Sequence, residues 1–511
     1  MKVYNFRKNT NIGNLDAETD SFLESCFYES EIYNTLINFN DDSEFVKRII
    51  VGRTGSGKTA LLKQIAKDIK IKGHGVIEAE STVFEHIKNN VFISELMERN
   101  IDLRVFYKSL WMHVLLVKVI DLVYPSAASF LDALNNHKES AKKKYNLKLA
   151  QEYAQEFRSN FFNDNIVTEI SDKLQTDLSA SFDIGLFKLS GKMGDDASEK
   201  IQTATARYVN SELLRKQKEI IKMIIEESNS ERQIRIIISI DDLDKSWLSS
   251  SEIRYDFINA LLDAFKELIN IKSVKILISI RTDILMGIYN NNLRQEEKDR
   301  SLIVPITWNK QEIRAILDSR IDFLIKNQYS GRDHVAFADI FNFQVRGQRA
   351  DDFILDRTML RPRDAIDFVN FCLSEGDGST SLNEDLVLLA EEKFYNSRKK
   401  AITKEWISLF KHIEEYIDCI SFIKRKTFYI SELSYELEKI QDYLINTDKG
   451  YDINHEKIAF DTSQLIKVWF VVGLIGIQKT QSLCVYSCFD KPSLDITDLD
   501  KEFVIHPLFF R

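Results

Sequence analysis

The stretch Val51-Gly52-Arg53-Thr54-Gly55-Ser56-Gly57-Lys58-Thr59 constrains this chain more than any other. It fits the pattern G-x-x-x-x-G-K-[ST] at every fixed position. An apolar run, Ile49-Ile50-Val51, enters it as a buried parallel strand would. Ala60-Leu61-Leu62-Lys63-Gln64-Ile65-Ala66 leaves it with apolar residues at helical spacing. Strand, glycine-rich turn and helix in that order make a phosphate-binding P-loop. The glycines let the backbone curl so that successive N–H groups face an anion at the positive end of the new helix. Lys58 is then expected to reach the β- and γ-phosphates of ATP, and the Thr59 hydroxyl to bind Mg²⁺. Gly52, Arg53, Thr54, Gly55, Ser56 and Gly57 form the cradle. The competing reading is a glycine-rich turn that binds nothing, and the register of strand, loop, Lys-Thr and helix weighs against it.

A second run, Ile234-Arg235-Ile236-Ile237-Ile238-Ser239-Ile240-Asp241-Asp242-Leu243-Asp244, is β-branched and ends in carboxylates. It carries Asp241 to the C-terminal tip of a strand, where ligands bind in α/β sheets and where a carboxylate can hold Mg²⁺ opposite Thr59. Asp242 beside it could orient an attacking water; the alternative is a buried strand ending in a capping Asp. Val274-Lys275-Ile276-Leu277-Ile278-Ser279-Ile280-Arg281 is a third buried strand, whose terminal Arg281 is expected to sense the γ-phosphate or to form a surface salt bridge. Leu302-Ile303-Val304-Pro305-Ile306 is a fourth. In Met359-Leu360-Arg361-Pro362-Arg363-Asp364, Pro362 suits a first helical turn, which sets Arg361 and Arg363 at a helix mouth where they could grip phosphates.

At 511 residues the chain exceeds one ordinary core. Its motifs and composition divide it into an N-terminal segment, 1–44, expected to form helices leaning on the nucleotide domain; a nucleotide-binding core, 45–119 and 231–308; an inserted helical arm, 120–230; a helical lid, 309–399; and a C-terminal part, 400–511. Within the core, Gly73-His74-Gly75 reads as a breaker before a strand at Val76-Ile77-Glu78-Ala79. The arm carries a lysine-rich run at 138–144, read as a solvated face, and an alternating strand or hairpin at 180–189. A net charge of −9 gives no global attraction to nucleic acid or anionic membrane. Five cysteines make no disulfide framework, and Cys484-x-x-x-Cys488, lacking further ligands, reads as buried strand residues rather than a zinc site. No apolar stretch is long enough to span a bilayer and the first residues show no secretory h-region, so a cytoplasmic location is expected. Neither a nuclease-like carboxylate–lysine set, nor a Ser/His/Asp constellation, nor the kinase signature set is present.

Taken together these motifs resemble AAA+-like ATPases, and within them the bacterial branch near the STAND and KAP ATPases. The resemblance rests on the GR-x-G-S-GK loop, the I-D-D-L-D strand and the R-P-R-D segment, and covers about 40–410. It implies an α/β fold with an additional-strand parallel sheet, a helical lid, and ATP- and Mg²⁺-dependent switching or hydrolysis. Lys58, Asp242, Arg281 and Arg363 would then act in catalysis, with Thr59 and Asp241 at the metal. Many such proteins serve anti-phage defence or DNA repair beside a separate effector, which implies a partner effector protein and a homo-oligomer. Asp242 stands where many AAA+ proteins carry Glu, and the shorter side chain bears on hydrolysis more than on binding.

The segment 400–511 resembles a winged helix, with helices at 406–423, 431–444 and 461–472, wing strands at 475–477 and 484–489, and closure at 503–507. Its third helix offers only Lys467 to a phosphate, and the basic Lys424-Arg425-Lys426 is opposed by Asp495, Asp498, Asp500 and Glu502. It is therefore expected to contact protein and not to read DNA directly.

Overall fold

β-branched runs with no polar alternation can be satisfied only where both faces of a sheet are covered, which is what parallel sheets provide. The computed structural model describes residues 6, 9–39, 45–79, 90–98, 101–123, scattered positions from 141 to 214, 215–228, 235–241, 243, 251–290, 295–328, 334–447, 453–480 and 483–511. The lysines of 138–144, the stretch 180–189 and Asp242 lie outside these. The chain divides into two compact units, one of residues 31–51 and 62–304, the other of 1–30, 52–61 and 305–511.

The first unit is built on a five-stranded sheet. Its strands are β1 (Ile49–Gly52), β2 (Gly73–Glu78), β3 (Ile236–Asp241), β4 (Val274–Arg281) and β5 (Ile303–Pro305), in the order β2-β3-β4-β1-β5. β2, β3 and β4 are parallel, with Glu78 paired to Asp241 and Ile240 to Ile278. β4 thus lies between the strand that enters the P-loop and the acidic strand. That interposed strand is the additional strand expected from the motifs. Beside the sheet, the helices Arg104–Val123 and Ser251–Leu268 pack through Trp111, whose ring lies 5.0 Å from that of Phe257 and whose indole N–H donates to the Phe257 carbonyl at 3.2 Å. Burying aromatics of this size contributes about 1.5–3 kcal/mol each. The helix Arg215–Ser228 joins them through Gln217, which donates to the Ser109 carbonyl at 3.0 Å.

Two local expectations change here. Gly73-His74-Gly75 is no breaker, because β2 begins at Gly73 and includes all three residues. A Cβ at Gly75 would come within 2.5 Å of the Lys118 side chain and 2.9 Å of Leu122. The glycine therefore lets the long helix close on the strand. The same helix runs to Val123, past the 119/120 boundary.

In the second unit, Lys310–Gln328, Pro362–Glu375 and Glu384–Trp406 form the main helices. The described residues from 6 to 30 are turns, not helices, and they drape over this helical region. Phe22 meets Phe323 edge-on at 5.0 Å, Asp20 pairs with the buried Arg320 at 2.6 Å, and Asn370 donates to the Gly13 carbonyl at 3.0 Å. Among the described residues of the segment, Glu31–Leu36 is helical. Many short polar residues there favour local side-chain-to-backbone bonds over helix, as Asp16, Asp20 and Asn11 illustrate.

The C-terminal part has helices Ile413–Cys419, Ser434–Thr447, Ile453–Phe460 and Thr462–Val472 and a four-stranded sheet. The sheet order is 483–485, 475–480, 503–505, 427–428, and its neighbours are antiparallel. Trp406, where a new helix was expected to start, instead ends one that crosses the 399/400 boundary. Asp461 caps Thr462–Val472, and Gly473 ends it at φ +90°. Cys484 is half-buried in its strand, whereas Cys488 is exposed beyond it, contrary to the reading of both as buried. Among the described residues no helix is long and apolar enough to cross a membrane.

Candidate nucleotide-binding site

The P-loop turns twice through left-handed backbone, at Gly55 (φ +82°) and Gly57 (φ +95°), which explains glycine at both positions. The direction of its peptide groups is set by what its carbonyls meet. Lys58 Nζ donates to the Gly52 carbonyl at 2.9 Å and the Arg53 carbonyl at 3.2 Å. Arg361 Nη1 donates to the Thr54 carbonyl at 2.9 Å, and the Arg363 backbone N–H to that of Gly55 at 3.3 Å. The Trp308 indole N–H donates to the Ser56 carbonyl at 2.9 Å, and the Leu61 N–H to that of Gly57 at 2.9 Å. Six consecutive carbonyls, 52 to 57, are thus held by donors of the protein. Each N–H points away from the carbonyl of its own peptide group; that of Thr54 donates to Glu405 and that of Ser56 to the Arg53 carbonyl at 3.1 Å, which leaves the glycine amides of the turn for an anion-binding nest. Among the described residues the N–H groups of Gly55 and Gly57 donate to no protein acceptor.

The two lid arginines divide. Arg361 is buried, its side chain 6% exposed: Nη1 donates to Thr54 and Glu405, Nη2 meets the Met359 sulfur, and Nε lies 3.2 Å from Asp364 as an ion pair without a hydrogen bond. Burial alone would push its pKa down, but Asp364 and Glu405 carry it above the ordinary value. The structure thus makes Arg361 a brace of the loop backbone and does not turn it toward a phosphate. Arg363 differs. Its stem lies on the loop, so close that a Cβ at Gly55 would sit 2.9 Å from Arg363 Cβ. Its Nε donates to the Leu15 carbonyl at 3.1 Å, and Nη1 and Nη2 have no partner among the described residues. Burial, then the like charge of Arg398, pushes its pKa down.

Behind the loop stands Glu405, which the sequence reading missed. Its carboxylate is 3% exposed, accepts the Thr54 N–H at 3.2 Å, and meets Arg53 and Arg361 at 3.5 Å. Arg53 also lies over the Trp406 ring at 5.6 Å, and burial pushes its pKa down despite Glu405. Trp308 is the second omission. Neither carries a local signal, since each acts on the loop from more than 250 residues away.

In the sheet unit, Asp241 is the last residue of β3 and Arg281 the last of β4. Asp283 grips the Arg281 guanidinium from both its oxygens, at 2.9 Å to Nε and 2.8 Å to Nη2. The fork orients Arg281 at the strand end. Thr59 occupies the first turn of the helix Lys58–Lys67.

The chain matches the KAP family P-loop domain over residues 28–303 and the FunZ-associated C-terminal helical domain over residues 311–403. The solved structure of the Aeropyrum pernix ORC2 protein in ADPNP–ADP complexes aligns with 90% of this chain and 84% of that one, at 13% identity and a TM-score of 0.36, a likeness too loose to carry a functional argument. Among curated proteins none matches. The first match spans more than half of the 511 residues, and it agrees with the loop and sheet described above. This chain belongs to the KAP family of P-loop NTPases.

Proposed function

We propose that the chain binds ATP with Mg²⁺ at residues 52–59 and hydrolyses it, as a switch that acts on a partner effector protein in a bacterial defence or DNA-maintenance setting. The observation that carries the nucleotide reading is the pair of left-handed turns at Gly55 and Gly57, whose N–H groups donate to no protein acceptor among the described residues. The Thr59 hydroxyl and the Asp241 carboxylate are each hard oxygen donors of the kind that suits Mg²⁺. When bound, the ion supplies positive charge at the β- and γ-phosphate oxygens.

The protein's own groups supply the rest. Lys58 exchanges its two carbonyl contacts for phosphate oxygens, Asp242 orients the attacking water, and Arg363 meets the charge that grows on the transferred phosphoryl. Arg281, held by Asp283, is the second sensor. On this reading residues 400–511 are a winged-helix-like part. The helix Thr462–Val472 buries Leu465, Ile466, Val468, Trp469, Phe470 and Val472, so little of it remains to enter a groove. Arg425, in the basic run, is paired with Glu432 and Glu436. This favours protein over DNA as the ligand of that part, in a cytoplasmic homo-oligomer.

Phosphate release from ATP tests the reading. The full chain should turn over ATP with Mg²⁺, stop in EDTA, and respond to a co-purified partner more than to duplex DNA. Binding without measurable turnover would replace the enzyme by an ATP-bound oligomeric scaffold. A Kd for duplex DNA far tighter than the roughly 10⁻⁴–10⁻⁶ M of non-specific binding at physiological salt would make DNA a direct ligand.

A further inference from the structure

Glu405 belongs to the last turn of the helix Glu384–Trp406, yet it serves a loop 351 residues away in the chain. Its surroundings are unusual for a carboxylate. A P-loop attracts anions through its amides, and here a buried protein carboxylate holds one of them, that of Thr54. Arg53 and Arg361 crowd the same carboxylate, and Asp364 is the other acid near the pair. Arg53 touches a third element as well. Gly473, at φ +90° between the helix Thr462–Val472 and the strand Ile475–Thr480, lies so near that a Cβ there would come 2.8 Å from Arg53 Nη1. The first turn of the loop, the end of the lid helix and the 473–474 turn of the C-terminal part therefore meet at one ion cluster.

We propose that Glu405 is a positioning residue of the nucleotide loop: it fixes the loop's first turn through the Thr54 N–H and, through Arg53, ties that turn to the C-terminal part. The proposal rests on the nucleotide reading above, and two effects of opposite sign let it be tested. By charge alone, a carboxylate beside a phosphate site repels the ligand, so neutralising it tightens ATP. By position, removing it leaves the buried Arg361 and the half-buried Arg53 guanidiniums unbalanced and frees the turn, so neutralising it loosens ATP. Positioning wins, because Arg53 and Arg361 already screen the carboxylate and the loop geometry is set by the bonds it anchors.

The experiment compares wild type with Glu405→Gln, Glu405→Asp and Arg53→Met in two readouts. In a fluorescent ATP-analogue titration with Mg²⁺, Glu405→Gln should loosen binding by about tenfold, the loss of one charge-assisted contact. Glu405→Asp should recover part of it, and the effects of Glu405→Gln and Arg53→Met should be non-additive. In hydrogen exchange without nucleotide, peptides covering 52–61 and 473–477 should both exchange faster in Glu405→Gln. Unchanged or tighter affinity overturns the proposal, as does unchanged exchange in either peptide. Arg53 is partly exposed, so Arg53→Met keeps the test open should Glu405→Gln fail to fold. A wild type that binds no nucleotide refutes the nucleotide reading instead, and the exchange data still decide whether Glu405 braces the loop.

Discussion

Two glycines of one loop make a controlled pair. Gly55 and Gly57 share left-handed backbone, at φ +82° and +95°, so alanine at either is strained by about 1–2 kcal/mol. Their surroundings differ. A Cβ at Gly57 would find its nearest neighbour at 3.9 Å, on the Trp308 ring, an ordinary contact. A Cβ at Gly55 would find Arg363 Cβ at 2.9 Å and Cδ at 3.1 Å, and Cβ cannot swing away as the end of a side chain can. Crowding of this kind adds about 1–3 kcal/mol. Gly55→Ala should therefore melt below Gly57→Ala, both without nucleotide, by the crowding increment alone. In an Arg363→Gly background, which removes the opposing atoms, the difference should vanish. Equal melting of the two single variants, or a gap that survives Arg363→Gly, would refute the claim that the lid arginine's stem rests on the loop.

Arg363→Ala and Arg281→Ala should each lower turnover more than ATP affinity, since their value appears as the phosphoryl charge develops; steady-state kinetics with unchanged kcat for both would remove the sensor roles. Mixing each variant with the Lys58 variant reads whether the arginine acts across subunits, as recovered activity. Asp241→Asn should weaken Mg²⁺-dependent binding while Asp242→Asn spares it and slows hydrolysis by about 10²–10⁴-fold; equal loss of binding in both would show that their roles are divided wrongly. His506 is held neutral at a pKa of about 3 by burial first and then by Arg361, Arg357 and Arg53, against a smaller opposite pull from Asp356. The unfolded chain protonates it below about 6.5, so stability falls as pH drops from 6.5 toward 3, by about 2 kcal/mol at pH 5 from this group. His506→Gln should flatten that acid limb in melting curves, and an unchanged slope would show that His506 does not set it.

The loop and the acidic strand were legible because each is a local pattern that positions its own residues: strand, turn and helix follow from spacing within a dozen positions. The strand ending in Arg281 was legible for the same reason, as an apolar run, whereas the additional-strand order of the sheet was implied by the family resemblance. What failed was pairing at long range. Glu405 and Trp308 sit in segments with ordinary helical composition, and nothing near them marks their partners at Thr54 and Ser56. Arg361 looked like a phosphate ligand because sequence shows its helix-mouth position but not the Asp364 and Glu405 that occupy it. Gly73-His74-Gly75 looked like a breaker because a glycine that admits a packed helix reads the same as one that ends a strand. The N-terminal segment was misjudged because its polar residues bond to nearby backbone, which periodicity does not register.

The nucleotide claim stands or falls on melting Lys58→Ala with and without ATP-Mg²⁺. Lys58 bonds two loop carbonyls, so the variant is compared with itself, and only the nucleotide-dependent shift is read. Ligand at a hundredfold over Kd stabilises the wild type by about 2.7 kcal/mol, an easily measured rise in melting temperature. Lys58→Ala should show no such rise, because the γ-phosphate charge loses its ammonium partner. A rise equal to that of the wild type would contradict the assignment of this loop as the nucleotide site.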